Sequence, residues 1–191
     1  MKNVGLFFGS FNPIHIGHMA IANYMVEFTD MKEIWFIISP QNPFKEKKSL
    51  LEDHHRLDLA NLAINNDPDF MASDIEFNMP RPSYTIDTLA RLTERHPRYR
   101  FSLIMGSDSL PTFHKWKNYE QIIENHTRYV YPRPGVDLEE IESPENCVIV
   151  DAPLMEISST FIREAIKKKK DIRYFMPSKA YRYMRDMHFY E

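Results

Sequence analysis

Short apolar runs alternate with stretches of helical periodicity along most of the chain. Apolar runs bounded by glycine, proline or polar residues predict buried strands at residues 4–8, 33–39, 70–75, 101–105, 128–131 and 147–150. Apolar residues three or four positions apart predict helices at residues 17–28, 53–65, 84–96, 119–125, 158–168 and 178–187. Because buried strands that alternate with helices form parallel sheets with right-handed crossovers, we expect an α/β fold with a Rossmann-like, doubly wound parallel sheet.

The length of 191 residues suits one domain that spans residues 1–191, with a short helical part from about residue 155 onward. Ligands of doubly wound sheets bind at the carboxyl ends of the strands. The turns after Phe8, Ser39, Met105 and Val150 lie at such ends, and the polar residues of interest are close to them. We therefore expect the functional site at this edge of the sheet.

The segment 9–18, GSFNPIHIGH, joins a strand to a helix through a glycine-containing turn. Backbone N–H groups at a helix start are unpaired, and the helix dipole favours anions there. The imidazoles of His15 and His18 can donate hydrogen bonds to phosphate oxygens, so the segment predicts a phosphate site. A capping turn with one exposed imidazole is the plain alternative. A metal pair is a second alternative, although no third ligand lies nearby in the sequence.

The segment 157–163, ISSTFIR, places three hydroxyl residues and an arginine at the start of a predicted helix. A helix start capped by serine or threonine is the plain interpretation. However, Arg163 in the first turn is unfavourable beside the positive end of the dipole unless an anion neutralises it. A triphosphate held between the hydroxyl and N–H groups and the guanidinium fork would provide that anion.

Composition and charge narrow the classes of function. The net charge of −3 argues against a broad nucleic-acid footprint, so we expect no nucleic-acid partner. No stretch approaches the length of a membrane span, and the first apolar run is too short for a signal peptide, so we expect no membrane partner. Cys147 is the only cysteine, which excludes a disulfide framework within the chain and fits a cytoplasmic location.

The two motif segments resemble the signatures G-[ST]-F-D-P-x-H-x-G-H and I-S-S-T-x-I-R of the nucleotidylyltransferase superfamily. The resemblance implies that His15, His18 and Arg163 bind and neutralise the triphosphate of ATP. Asn12 stands where the signature carries Asp, which removes one negative charge but keeps a side chain that can cap a turn. The resemblance also implies ATP contacts at six small or aromatic positions: Gly9, Ser10, Phe11, Ser158, Ser159 and Thr160.

The same resemblance implies three further positions. Lys45 lies in a loop whose basic residue contacts phosphates in the superfamily, and it joins the two histidines and Arg163 as an expected catalytic residue. From composition alone, Lys45 is a solvated loop lysine. Gly106 and Asp108 follow a buried strand, where the G-x-D of the superfamily contacts the nucleotide. An Asx turn or a helix N-cap is the alternative for Asp108.

The segment 82–89, PSYTIDTL, and the downstream Trp116 resemble the nicotinate-nucleotide adenylyltransferase family within this superfamily. In that family, backbone amides near the threonine receive the nicotinate carboxylate and the tryptophan covers the ring. The resemblance therefore implies substrate contacts at Ser83, Thr85 and Trp116, with Arg133 as a further candidate in a turn like the family's R-P-G. Without the resemblance, a helix cap, a buried tryptophan and an exposed turn are the alternatives.

The implied reaction is transfer of AMP from ATP to nicotinate mononucleotide, which yields deamido-NAD and pyrophosphate. Mg²⁺ is expected to be bound through the ATP phosphates, with no metal site built by the protein. Adenylyltransferases for nicotinamide mononucleotide or phosphopantetheine, and a non-catalytic nucleotide sensor, are the alternatives. The sequence leaves a homo-oligomer open.

Overall fold

Six parallel strands form one sheet in the computed structural model, which describes residues 1–40, 50–136 and 145–191. The strands are β1 (Lys2–Gly9), β2 (Glu33–Ile38), β3 (Phe70–Ser73), β4 (Tyr99–Gly106), β5 (Arg128–Tyr131) and β6 (Cys147–Ile149). Their order is β3-β2-β1-β4-β5-β6, the order of the dinucleotide-binding Rossmann fold. The parallel α/β sheet expected from the sequence is confirmed.

The helices of the described ranges cover both faces of this sheet. They are α1 (Ile16–Phe28), α2 (Asp53–Ile64), α3 (Thr85–Arg95), α4 (Tyr119–Asn125), α5 (Ser159–Lys167) and α6 (Ser178–Asp186). Each agrees with the predicted helix to within two residues at either end. Within the described part of the chain, no helix combines the length and the apolar character that crossing a membrane requires.

Two 3₁₀ helices differ from the sequence prediction. Residues 70–75 were expected to form one strand, but β3 ends at Ser73 and a 3₁₀ helix follows at Ile75–Asn78. A second 3₁₀ helix at Ser107–Lys115 was not predicted at all. Pro111 lies inside it and has no N–H to donate, so a regular α-helix is interrupted there.

The two faces of the sheet carry separate hydrophobic cores because successive residues of a strand point in opposite directions. On β1, Leu6 packs into the core covered by α3 and α4, whereas Phe7 packs into the core covered by α1, α2, α5 and α6. Both residues are almost fully buried. The helices α1 and α5 therefore share one face, so their N-termini can meet at the carboxyl edge of the sheet.

A buried arginine holds the β1–α1 and β2–α2 connections together below this edge. Arg56 of α2 is 0% exposed and donates hydrogen bonds to the carbonyls of Ser10 (2.6 Å), Ser39 (2.9 Å) and Leu51 (2.9 Å). Its guanidinium also pairs with Asp53 at 2.5 Å, while burial lowers the pKa of Arg56 from its usual value. The ends of β1 and β2 are thus fixed relative to the start of α2.

Replacing Arg56 by methionine should unfold the protein at a much lower denaturant concentration. The Arg56→Met variant loses the donor to three loop carbonyls and the partner of Asp53, so we expect a loss of about 3 kcal/mol in the free energy of unfolding. Urea titration followed by circular dichroism measures this value. Arg98→Met, at an exposed position, is the matched control and should stay within about 0.5 kcal/mol of the wild type. Equal stability of the two variants would contradict this role of Arg56.

Candidate active site

A cleft of about 760 Å³ opens at the carboxyl edge of the sheet, where the turn after β1 meets the starts of α1, α3 and α5. It is the place that the strand pattern predicts. Fifteen residues singled out in the sequence line it: Gly9, Ser10, Phe11, His15, His18, Ser83, Thr85, Gly106, Asp108, Trp116, Arg133, Ser158, Ser159, Thr160 and Arg163. Lys45, the remaining candidate, lies outside the described residues.

The turn after β1 is shaped by a close contact between Gly9 and Phe11. A Cβ atom at Gly9 would lie 2.9 Å from the Phe11 ring, so a side chain there would displace the ring. Phe11 has a positive φ of 43° and is only 2% exposed, with its ring packed edge-on against Phe7 and His18. Because the Phe11 ring is buried, Phe11 lines the cleft mainly with its backbone.

The two histidines of the first motif lie together at the start of α1. His15 is the N-cap residue of α1, and its ring stacks on that of His18 with 3.7 Å between centroids. The His15 backbone N–H donates to Nδ1 of His18 at 3.2 Å. Since that nitrogen accepts, the neutral His18 ring carries its proton on Nε2 and is a hydrogen-bond donor there.

His15 is held in a neutral state by its surroundings. It is 4% exposed, and burial, helped by the charge of Arg133, lowers its pKa from 6.5 to about 4. The His15 side chain faces the His18 backbone N–H in a capping box, although among the described residues no hydrogen bond of normal geometry reaches its Nδ1. A buried imidazole at a helix start, where the unpaired N–H groups and the dipole favour anions, is suited to contact a phosphate group.

The second motif is joined to the first by direct hydrogen bonds. Ser158 caps α5 by accepting from the Phe161 N–H at 3.1 Å. The Ser159 hydroxyl donates to the Pro13 carbonyl at 2.8 Å, and Nη1 of Arg163 donates to the Asn12 carbonyl at 2.7 Å. The helix-cap interpretation is therefore correct for Ser158, whereas Ser159 and Arg163 hold the starts of α1 and α5 around one cleft.

Arg163 keeps its charge available to a ligand. Its second guanidinium nitrogen donates to the Thr160 hydroxyl at 3.2 Å, and within the described part of the chain no carboxylate lies within ion-pair distance. An arginine near the positive end of a helix without an acidic partner is electrostatically unfavourable by itself. An anion bound in the cleft would offset that cost, as the sequence predicts.

The end of β4 brings Asp108 and Arg133 together. A Cβ atom at Gly106 would lie 2.4 Å from Oδ1 of Asp108 and 2.8 Å from Cγ of Arg133, so only glycine leaves room for both side chains. Nε of Arg133 lies 3.9 Å from the Asp108 carboxylate, and its backbone N–H donates to the Ser107 hydroxyl at 2.9 Å. Ser107 is a fully buried residue that sequence reasoning missed.

A third helix start, that of α3, lines the cleft from the other face of the sheet. The helix α3 begins at Thr85 after Tyr84, and the first amides of such a helix have no carbonyl one turn earlier to bind. Ser83 does not open the helix, because its hydroxyl donates to the buried Glu76 carboxylate at 2.8 Å. The half-buried Trp116 completes this side of the cleft and packs on Phe113, with 5.2 Å between ring centroids.

Carboxylates are scarce in this cleft. Among its described lining residues, only Glu76 and Asp108 carry one. Both Glu76 oxygens accept hydrogen bonds from hydroxyl groups, of Ser83 and Thr88, and Asp108 faces Arg133.

Outside the cleft, one group of metal-binding residue types occurs among the described residues. Glu52, His54 and His55 lie at the surface, and their side-chain atoms that could bind a metal are within 4.8 Å of one another.

Comparison with known proteins assigns the class. Residues 6–165 match the cytidylyltransferase-like family, so the match covers most of the chain, including both motif segments. The chain belongs to this family of nucleotidyltransferases.

Curated relatives narrow the assignment. The chain is 50% identical over 190 residues to the probable nicotinate-nucleotide adenylyltransferase of Flavobacterium psychrophilum, covering 98% of both proteins. It is 51% identical over 173 residues to the protein of the same name from Cytophaga hutchinsonii, covering 91% of this chain and 90% of that protein. Within its family, the chain therefore groups with the nicotinate-nucleotide adenylyltransferases.

Solved structures agree on the fold. The Plasmodium falciparum nicotinic acid mononucleotide adenylyltransferase complexed with NaAD superposes with a TM-score of 0.84 at 24% identity, covering 100% of this chain and 98% of that one. A putative nicotinate-nucleotide adenylyltransferase from Vibrio parahaemolyticus superposes with a TM-score of 0.72 at 19% identity, covering 100% of this chain and 96% of that one. At these identities the likeness confirms the Rossmann-like architecture.

The buried His15 should make stability depend on pH in a defined window. The pKa of His15 is 6.5 in the unfolded chain and about 4 in the folded protein. Between these two pH values the unfolded chain binds a proton that the folded protein does not, so the free energy of unfolding falls as the pH drops. Between neutral pH and pH 4, this difference in the pKa of His15 lowers the free energy of unfolding by about 3 kcal/mol. We expect the His15→Asn variant to lack this part of the slope in urea titrations at pH 7.5, 5.5 and 4.

The exposed His188 provides the control, because His188→Asn should keep the wild-type slope. A parallel pH dependence of the wild type and His15→Asn would show that the imidazole of His15 is not held neutral in the folded state.

Proposed function

We propose that the protein transfers the adenylyl group of ATP to nicotinate mononucleotide, producing deamido-NAD and pyrophosphate in NAD biosynthesis. The observation that carries the proposal is the pair of contacts from Ser159 to Pro13 and from Arg163 to Asn12. These contacts bring two helix starts, two imidazoles and a guanidinium without an acidic partner in the described residues to one cleft. The names of the curated relatives supply the acceptor nucleotide.

The chemistry needs charge compensation more than an enzyme nucleophile. An oxygen of the nicotinate mononucleotide phosphate attacks the α-phosphorus of ATP, and the bond from that phosphorus to the bridging oxygen breaks with release of pyrophosphate. The attacking phosphate is already ionised at neutral pH, so no side chain has to activate it. Donors at His15, His18 and Arg163, together with Lys45, would bind the phosphate oxygens on which negative charge develops.

The two substrates occupy different ends of the cleft in this proposal. The turn at Gly9–Phe11, the residues Gly106 and Asp108, and the start of α5 hold ATP. The first amides of α3 at Thr85 receive the nicotinate carboxylate, because they are unpaired donors at the positive end of a helix dipole. The Trp116 ring covers the pyridine ring, and Arg133 lies between the two nucleotides as a further phosphate or carboxylate contact.

Mg²⁺ fits the cleft as an ion carried in by ATP. Glu76 and Asp108 already have hydroxyl and guanidinium partners, so they do not form a ready protein-built site for the ion. The phosphate oxygens of ATP and water would hold Mg²⁺, which withdraws negative charge from the triphosphate when bound. We place the reaction in the cytoplasm, which the single cysteine of the chain fits.

Pyrophosphate release tests the proposal directly. Purified protein is mixed with ATP, Mg²⁺ and either nicotinate mononucleotide or its amide, and pyrophosphate is measured over time. We expect strong preference for the acid, because only the carboxylate carries the negative charge that the start of α3 favours. Equal use of both nucleotides would contradict the carboxylate site, and release with neither would contradict the proposed reaction.

Replacing His18 by alanine should abolish most turnover while leaving the fold intact. The variant loses a hydrogen-bond donor to the phosphates, and removing one such donor lowers kcat on the order of 100-fold. Steady-state kinetics and a thermal melt of the same preparation check both parts of the prediction. His188→Ala, at an exposed position, should retain wild-type kcat. Wild-type turnover in His18→Ala would remove His18 from the proposed mechanism.

A further inference from the structure

The chain turns back after α6 and brings Tyr190 to the turn that follows β1. The Phe189 backbone N–H donates to the Met184 carbonyl at 3.1 Å, and the Phe189 ring packs against His55 with 4.7 Å between centroids. The next residue, Tyr190, has a φ of 68°, which is a strained backbone conformation for an aromatic residue. Strain of this kind persists only where other contacts hold it, and such contacts are often functional.

The Tyr190 side chain ends on the first motif. Its hydroxyl donates a hydrogen bond to Oδ1 of Asn12 at 2.7 Å, across 178 positions of the sequence. Burial raises the pKa of Tyr190 above its usual value, so the hydroxyl keeps its proton and remains a donor. The charges of Arg163 and Arg56 act on the pKa in the opposite direction but do not outweigh burial.

Asn12 connects this phenol to the rest of the site. It is 4% exposed, and its Oδ1 also accepts from the Leu51 N–H at 3.1 Å. An amide oxygen has two lone pairs, so Tyr190 and Leu51 together satisfy it. The backbone carbonyl of the same residue accepts from Arg163 at 2.7 Å. The orientation of the Asn12 peptide and side chain therefore bears on where the Arg163 guanidinium points.

This arrangement also explains how asparagine can replace the aspartate of the superfamily signature. Within the described residues, the contacts to Oδ1 come from two donors, a phenol and a backbone N–H. An amide oxygen accepts them as a carboxylate oxygen would, without adding a negative charge beside the phosphates. The acceptor role at position 12 is kept while the charge is lost.

We infer that Tyr190 is a positioning residue for the triphosphate end of the cleft. Its hydroxyl fixes the Asn12 side chain, and the Asn12 carbonyl in turn orients the guanidinium of Arg163. The inference rests on the proposed function, because the role concerns how ATP is held. Tyr190 touches neither substrate in this scheme, and its effect reaches ATP through Asn12 and Arg163.

The test uses Tyr190→Phe, which removes the hydroxyl and keeps the ring. A hydrogen bond of ordinary strength corresponds to a factor of about five in affinity. We expect the KM for ATP, and the dissociation constant of ATP measured by calorimetry without the second substrate, to rise about that much. The KM for nicotinate mononucleotide should not change, because its proposed carboxylate site at Thr85 lies on α3.

Tyr183→Phe is the matched control. Tyr183 also lies near the end of the chain, and its hydroxyl contacts Nδ1 of His55 at 3.2 Å and the Asp58 carboxylate at 3.4 Å, but not Asn12. A role limited to docking the last residues would give both variants the same ATP affinity and similar losses in melting temperature. Our inference instead requires that Tyr183→Phe retain wild-type ATP affinity.

A double-mutant cycle tests whether the Tyr190 hydroxyl acts on ATP binding through Asn12. In an Asn12→Ala background, Tyr190→Phe should have no further effect on ATP affinity, and an undiminished effect would overturn the path through Asn12. If Asn12→Ala does not fold, the ATP affinities of Tyr190→Phe and Tyr183→Phe alone test the inference. Wild-type ATP affinity in Tyr190→Phe would then overturn it. ATP binding without transfer to nicotinate mononucleotide would overturn the proposed function, while the binding data would still test Tyr190.

Discussion

The guanidinium of Arg56 is the contact on which the geometry of the cleft depends. The carboxyl edge of a parallel sheet leaves loop carbonyls without strand partners, and Arg56 satisfies three of them at once, from the ends of β1 and β2 and from Leu51. A charge buried in this way is costly, and only its pairing with Asp53 and with these carbonyls makes it tolerable. Because Arg56 binds backbone atoms, it fixes the path of the loops rather than the identity of their side chains.

The cleft above Arg56 uses partial charges more than ion pairs. The starts of α1 and α5 lie on the same side and are joined through Ser159 and Arg163, while α3 faces them across the cleft. His15 is neutral because of its burial, so in the absence of a ligand it adds a polar nitrogen rather than a positive charge. Such a site would gain favourable electrostatic energy when an anion binds.

The sequence allowed most of the fold and of the cleft to be predicted, and it failed where distant parts of the chain meet. The strands and helices followed from strong apolar periodicity, with boundaries correct to within about two residues. The 3₁₀ helix around Pro111 gave no periodic signal, and neither did the early end of β3. The motif segments pointed to His15, His18 and Arg163, but the roles of Arg56 and Tyr190 depend on contacts with residues remote in sequence, which local patterns do not encode.

The position of β1 in the sheet has a mechanical consequence. This strand pairs with β2 on one side and with β4 on the other, so the turn that follows it lies at the boundary between the two halves of one continuous sheet. Within the described residues, the hydrogen-bonded strands β2, β1 and β4 cross this boundary without a break. Backbone hydrogen bonds between these strands thus connect the two sides of the cleft directly, which would limit how far the two sides can move apart.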